Sequence, residues 1–239
     1  MASSLGYQAG LLSLAAWKDE DDTAVLGHCR RVAEAIPIIG FYLQPAVGGR
    51  LFAYEFWRKF AEIPGVIAIK IAPFNRYQTI DVVRAVIEAG REDIALYTGN
   101  DDNIVIDLLT RYSIAGRDRR IVGGLLGHWG VWTQNAVRLL QEIQSIRHDA
   151  RIDQEWLARA VAITDMNAAL FDPAHGFAGC IPGILEILRR QGLAPTNLCL
   201  NPRETLSPGQ VEELTRVCRD YPDLIDDSFV CEHLDEWLS

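Results

Sequence analysis

The hydrophobic residues of this chain form short apolar runs that alternate with amphipathic stretches. Successive runs end 27 to 29 residues apart, which leaves room for one strand and one helix in each period. The pattern predicts an α/β fold with a parallel sheet, made of about five β/α units of the kind that build (β/α) barrels. The five predicted strands lie within Ala9 to Leu14, Pro37 to Leu43, Val66 to Ile71, Ile94 to Thr98 and Ile121 to Leu126.

The amphipathic stretches between these runs carry helix start and stop signals. Asp22 or Thr23 is the expected N-cap of the first helix, and Gly90 is the expected C-cap glycine of the third. The predicted helices cover about Thr23 to Ala35, Ala53 to Glu62, Thr79 to Ala89, Asn100 to Tyr112 and Thr133 to Arg147.

The strand pattern stops after Arg147, and the rest of the chain is predicted to be helical. The last predicted helix has Ser207 as its cap and Pro208 in its first turn, and aromatic residues are expected to hold the acidic tail after Phe229. We therefore divide the chain into a partial barrel, residues 1–150, and a C-terminal helical extension, residues 151–239. The helices of the extension are predicted at Gln154 to Phe171, Pro182 to Gln191 and Ser207 to Asp220.

Five units are too few to close an eight-stranded barrel, which takes about 250 residues. The first strand and the strand at Ile121 are therefore expected to be open sheet edges, which proteins normally cover. A complete gene product would be expected to carry an upstream extension of about one hundred residues with three more strands.

Composition and charge exclude several classes of partner. The 239 residues carry a net charge of -9 and a pI near 5.0, which disfavours nucleic acid and anionic membranes, since both are bound through clustered Lys and Arg. Five cysteines occur without a CxxC pair or a zinc-ligand spacing, which predicts reduced thiols in a cytoplasmic protein and no metal site. The N-terminus lacks a basic region before its short apolar run, so no signal peptide is predicted.

Two side chains near strand ends are candidates for catalysis. Lys70 interrupts an apolar strand, where it either extends its amine to water or is kept for its chemistry, because burial disfavours the ammonium form. Tyr42 stands near the end of the preceding strand and is either an amphipathic aromatic or a partner of that amine. Because ligands bind where parallel strands end, both side chains are expected to face one pocket.

The end of the last predicted strand is rich in glycine and carries a histidine. Gly123 and its neighbouring glycines either hold a phosphate or allow a tight turn with close backbone approach. His128 either fills space in the structure or contacts a substrate oxygen. Asp101 and Asp102 are most simply explained as caps of the helix that follows them.

The succession IPIIGFYLQPAVGG, IPGVIAIKIA and LYTGNDD resembles the dihydrodipicolinate synthase and N-acetylneuraminate lyase family of class I aldolases. The family pattern is matched in order and spacing by Tyr42, Pro45, Lys70, Gly99 and Asp102, and ALFDPAHGFAGCIPGILEILRRQGL resembles the C-terminal helices of one bacterial subgroup. The resemblance implies a TIM (β/α)8 barrel of which this chain holds strands four to eight.

The resemblance also implies the chemistry of the site. Lys70 would form a Schiff base with pyruvate or another 2-keto acid, and Tyr42 would move the protons. No cofactor or metal would be needed, an aldehyde would be the second substrate of an aldol reaction, and the protein would be a homodimer or homotetramer. Substrate contacts would come from Pro45, Val47, Gly99, Val122, Gly123 and His128.

Several positions depart from the family pattern. The first three strands are absent, together with the Gly-Thr-Thr-Gly-Glu-type loop that holds the substrate carboxylate. Leu43 replaces an asparagine, Val47 replaces the arginine of dihydrodipicolinate synthases, and Trp17 replaces a tyrosine of their proton relay. The change at Val47 argues against aspartate semialdehyde as the acceptor. Two hypotheses follow: a Schiff-base lyase, acting as aldolase or dehydratase, or a catalytically inactive barrel that serves assembly or ligand sensing.

Overall fold

The computed structural model describes residues 2–125 and 127–239. Leu126, the predicted end of the fifth apolar run, lies outside the described residues, as does Met1, where the signal-peptide prediction begins. In the described part of the chain, five strands form one parallel sheet in the order β1-β2-β3-β4-β7, and β5 and β6 form an antiparallel pair. The strands are β1 Gly10–Leu12, β2 Ile38–Leu43, β3 Val66–Ala72, β4 Ala95–Thr98, β5 Arg111–Ile114, β6 Arg117–Arg120 and β7 Gly123–Gly124.

Each strand of the parallel sheet falls within one of the five predicted runs, except that β3 continues one residue further, to Ala72. The helices that connect them also lie where they were predicted, with one exception after β4. The helices of the described chain are α1 Asp22–Ala35, α2 Tyr54–Ala61, α3 Arg76–Glu88, α4 Ile104–Leu109, α5 Thr133–Ile146, α6 Glu155–Phe171, α7 Cys180–Arg190, α8 Gln210–Asp220 and α9 Asp227–Leu238.

The exception is the helix that was predicted to reach Tyr112. It ends at Leu109, and Tyr112 lies instead in β5 of a hairpin that the sequence analysis missed. Ala115 and Gly116, with φ of 51° and 73°, form the two-residue turn of this hairpin, as expected for a turn that needs positive φ at both positions.

The starts of two helices also differ from prediction. The N-cap of α1 is Asp21, whose carboxylate accepts the Ala24 N–H at 2.8 Å. Helix α8 begins at Gln210 rather than Ser207, and the Ser207 hydroxyl donates to Asp172 Oδ2 at 2.5 Å instead of capping. The tail after Phe229 belongs to α9. Gly90, with φ of 67°, ends α3 as predicted.

The chain folds into two compact units, each with its own core. The first contains the described residues up to Asn100 together with 107–125, and the second contains 101–106 together with the described residues after Leu125. The predicted domain boundary at residue 150 differs from this division and stays a prediction. In the first unit, helices α1 to α3 accompany the parallel sheet, and its largest fully buried side chains include Trp57, Tyr42 and Phe56.

The second unit consists of helices packed around their own apolar cluster. Its core includes Val131, Trp132, Met166, Leu170 and Leu214. Among the described residues, no helix combines the length and the apolar character that a bilayer crossing requires.

Candidate functional site

An irregularity in the pairing of β2 with β3 determines which side chains share a face. Ile38 pairs with Val66, but the next residue, Ile39, pairs with Ala68. Ile67 is therefore an extra residue, a β-bulge, and every later pair is shifted by one position. As a result Phe41, not Tyr42, stands beside Lys70.

Lys70 lies partly buried in β3, two residues before the strand ends. Its Nζ is 4.6 Å from the centroid of the Phe41 ring, a distance at which an ammonium group is attracted to the ring face. Gly99 lies against the stem of the lysine, since a Cβ atom placed on Gly99 would be 2.8 Å from Lys70 Cε. The structure thus brings together Lys70 and Gly99, two of the predicted site residues.

Tyr42 lies on the other face of the sheet, where its side chain is fully buried. Its hydroxyl donates to the Phe52 carbonyl at 3.1 Å and accepts the Phe52 N–H at 3.3 Å, and its ring lies 4.9 Å from that of Trp57. Burial raises the pKa of this phenol. In this register Tyr42 and Lys70 face opposite sides of the sheet because of the bulge at Ile67, and the catalytic role of each stays a prediction.

Tyr97 is the phenol that the structure places on the face of Lys70. It is the β4 residue paired with Lys70, and it is itself paired with Gly123 of β7. A Cβ atom on Gly123 would lie 2.9 Å from Tyr97 Cε1, so the Tyr97 ring occupies the space that Gly123 leaves. Tyr97 was not among the residues predicted from the sequence, although alternation along the strand from Gly99, two residues later, identifies it as a residue of the same face.

The end of β4 is held by a buried carboxylate on the side away from Lys70. Asp107 is fully buried, and its Oδ2 accepts the Thr98 hydroxyl at 2.5 Å and the Asn100 amide at 2.9 Å. Arg76 and Tyr112 bind its other oxygen. Because Gly99 lies between Thr98 and Asn100, this network fixes the backbone against which Lys70 packs.

The loop after β2 carries Pro45 and Val47 in an exposed single turn. Gly48 there has φ of 90°, and Arg50 extends back to donate to the Trp17 and Glu20 carbonyls at 3.2 and 2.5 Å. The loops after β1 and β2 are thereby tied together. Pro45 and Val47 lie at the carboxyl end of β2, and their contact with substrate stays a prediction.

The remaining predicted substrate contacts, Val122, Gly123 and His128, differ in their exposure to solvent. Val122 is 39% exposed, and Gly123 is covered by the Tyr97 ring. His128 belongs to the second unit, where it is 2% exposed and its Nδ1 lies 3.1 Å from Asn167 Oδ1. Burial lowers the pKa of His128 to about 4, so the ring is neutral at neutral pH and acts as an interior residue of that unit.

Trp17 and the potential metal ligands of the described chain are the last candidates. The Trp17 ring stacks on His28 at 4.5 Å, an arrangement within the first unit. In the described part of the chain, no group of three or more His, Cys, Asp or Glu side chains is placed to hold a metal ion.

Known proteins resemble this chain in sequence and in fold. No family model matches it. It is 28% identical over 226 residues to a 4-hydroxy-tetrahydrodipicolinate synthase of Thiobacillus denitrificans, covering 94% of this chain and 68% of that protein. The dihydrodipicolinate synthase structure of Thermotoga maritima has a TM-score of 0.71 at 21% identity, over 94% of this chain and 69% of its own. That of Bacteroides thetaiotaomicron has a TM-score of 0.68 at 15% identity, over 92% and 68%.

The structural matches show the fold. The predicted fold class, part of a TIM barrel with about five β/α units followed by C-terminal helices, is confirmed by the parallel sheet and by these neighbours. The curated relative, a 4-hydroxy-tetrahydrodipicolinate synthase, is similar in sequence to nearly the whole chain, and the solved dihydrodipicolinate synthases are similar to it in fold.

Proposed function

We propose that this chain is a class I lyase of the pyruvate-using aldolase type, in which Lys70 forms a Schiff base with the keto carbon of pyruvate or another 2-keto acid. The family supports the general type of reaction, since the curated relative is a 4-hydroxy-tetrahydrodipicolinate synthase. The observation that carries the proposal is the position of Lys70, an amine in the interior of a parallel sheet, near the end of its strand and packed on Gly99.

The surroundings of Lys70 act on its amine in two opposing ways. Imine formation needs the neutral amine, because only its lone pair attacks the keto carbon. Partial burial among apolar strand residues disfavours the ammonium form, whereas the Phe41 ring stabilises it.

The chain is unusually simple to test, because it contains three lysines, Lys18, Lys59 and Lys70. Lys18 and Lys59 are exposed, and neither lies in the parallel sheet. An adduct on one lysine can therefore be assigned with few alternatives.

The test is the intact mass of the protein after incubation with pyruvate and borohydride. Wild type should gain one reduced pyruvyl group, Lys70→Ala should gain none, and Lys59→Ala should behave as wild type. A folded wild-type chain without an adduct would contradict the proposal and favour a non-catalytic role in assembly or ligand sensing. An adduct that persists in Lys70→Ala would refute the assignment of the lysine.

Assembly and location are part of the same proposal. We expect a homodimer or homotetramer in the cytoplasm that uses a 2-keto acid and, for an aldol reaction, an aldehyde. Sedimentation velocity of the purified chain would measure the assembly directly, and a monomer at all concentrations would contradict that part.

A further inference from the structure

A row of four residues crosses the sheet at the level of Lys70. In the register of the strands, Phe41 of β2 pairs with Lys70 of β3, Lys70 with Tyr97 of β4, and Tyr97 with Gly123 of β7. Paired residues of parallel strands project to the same face of a sheet, and neighbouring strands are about 4.8 Å apart. Lys70 and Tyr97 are therefore direct neighbours on one face.

The burial of β4 shows that this face is the more open one. Tyr97 is partly exposed, whereas Leu96 and Thr98, the residues on either side of it, are fully buried. Lys70 shows the same contrast with Ile69 and Ile71. The phenol and the amine thus share access to the same side of the sheet.

The two side chains lean in different directions. The Lys70 amine lies over the Phe41 ring, towards β2, and the Tyr97 ring lies against Gly123, towards β7. A small molecule bound between them would have an amine on one side and a phenol on the other. Schiff-base formation requires such a pair of groups. The amine nitrogen attacks the carbonyl carbon, and the phenol donates a proton to the oxygen that leaves as water.

Tyr42 does not offer the same chemistry. Its hydroxyl is fully buried on the opposite face, and the backbone of Phe52 uses it both as a donor and as an acceptor. To reach a substrate on Lys70, the ring would have to cross the sheet.

We propose that Tyr97 is the acid–base residue for the Schiff base of Lys70, an inference that rests on the proposed function. The amine adds to the keto carbon, and a proton moves from nitrogen to oxygen to give a neutral carbinolamine. Tyr97 then donates its phenolic proton to the carbinolamine hydroxyl, which leaves as water while the nitrogen lone pair forms the C=N bond. The products are a protonated imine and the Tyr97 phenolate.

The phenolate is consumed in the next step. It removes a proton from the carbon next to the imine, and the electrons of that C–H bond form the C=C bond of the enamine as the C=N bond becomes a single bond. Tyr97 is thereby neutral again, and the net change is loss of one water from the carbinolamine. The hydrogens of the substrate methyl group should therefore exchange with solvent through Tyr97.

The experiment measures that exchange. Loss of the methyl proton signal of pyruvate in deuterated water is followed by NMR, and the rate of borohydride trapping is measured in parallel. Tyr97→Phe keeps the ring on Gly123 and removes only the hydroxyl, so we expect a folded protein with both rates reduced by about 10²-fold or more. Tyr77→Phe, at an 83% exposed position of α3, is the matched control and should keep both rates.

The outcomes separate this inference from the proposed function. Rates in Tyr97→Phe equal to those of wild type, or a loss of both rates in Tyr42→Phe alone, would overturn the role of Tyr97 and leave the Schiff base at Lys70 intact. A wild-type protein with no Lys70-dependent adduct would overturn both. Slow exchange and slow trapping in Tyr97→Phe, with a Lys70 adduct that still forms on long incubation, would establish the role.

Discussion

Gly99 and Gly123 each leave a space that a longer neighbouring side chain fills. Gly99 gives room to the stem of Lys70, and Gly123 gives room to the ring of Tyr97. The sequence analysis explained the glycines near β7 by close backbone approach or a phosphate. At Gly123 the structure shows a third use, which is to accommodate an aromatic side chain from the adjacent strand.

At the residue scale, Gly99→Ala should impair the proposed reaction more than it impairs folding. The added methyl group would lie 2.8 Å from Lys70 Cε and 3.1 Å from Ala72 Cβ, and the flexible lysine is the group that can move. We expect borohydride trapping to slow by about tenfold to a hundredfold, with a loss of only about 1 kcal/mol in the free energy of unfolding.

The control for this variant is Gly130→Ala, since a Cβ atom there would meet no atom within 4 Å. It should trap pyruvate at the wild-type rate. Equal trapping rates in the Gly99 and Gly130 variants would show that the position of the Lys70 stem is not important for the reaction.

At the scale of elements, the identity of the strands could be predicted and their register could not. Apolar composition and a regular period identify β1 to β4, because burial on both faces leaves a continuous apolar run. The bulge at Ile67 has no such signal, since Ile67 is one more β-branched residue in an apolar run. The β5–β6 hairpin was missed for a related reason: β6 carries charges on both faces, and the turn uses alanine at a position of positive φ.

Asp107 joins several elements of the first unit, and its replacement should be costly. Asp107→Asn removes the negative charge that faces Arg76 and places an amide among groups that mostly donate hydrogen bonds. We expect the free energy of unfolding to fall by about 2 to 4 kcal/mol in urea titrations.

Asp118→Asn in β6 is the matched control for this change. Asp118 is exposed, with 56% of its side chain accessible, and its ion pair with Arg111 spans 3.7 Å. Such a pair contributes less than about 1 kcal/mol. If both variants were equally stable, the buried network would not be what holds the end of β4.

At the scale of the whole molecule, the helices after Arg147 were recognisable, but the membership of the units was not. Helical periodicity identifies α6, α7 and α8 because each buries one stripe of apolar residues. The assignment of residues 101–106 to the second unit depends on long-range contacts, such as the hydrogen bond of Thr164 to the Asp102 carbonyl. The spacing of residues along the sequence does not predict such long-range contacts.

The second unit should lose stability in acid because of His128. The pKa of His128 is about 4 in the folded chain, below its ordinary value of 6.5. Its neutral ring therefore makes its full contribution to the free energy of unfolding above pH 6.5. This contribution is lost as the pH falls from 6.5 towards 4, because the unfolded chain then binds the proton more readily. The loss can reach about 3 kcal/mol.

Urea titrations at pH 7 and pH 4.5 would measure the effect. Unfolding is followed by tryptophan fluorescence, to which Trp132, with its ring 6.0 Å from that of His128, contributes as one of six tryptophans. His128→Gln should show a smaller loss between the two pH values than wild type, whereas His148→Gln, at an exposed position, should behave as wild type. An unchanged pH dependence in His128→Gln would contradict the assignment.

The bulge at Ile67 also affects how this chain can be compared with its relatives. Tyr42 and Lys70 are separated by 28 residues, the spacing on which the resemblance in sequence rests, yet one extra residue in β3 places them on opposite faces. Two residues at the spacing expected of a catalytic pair therefore need not form that pair in space. Assignment of an active site to this chain by resemblance requires the pairing of its strands to be compared, as well as the spacing of its residues.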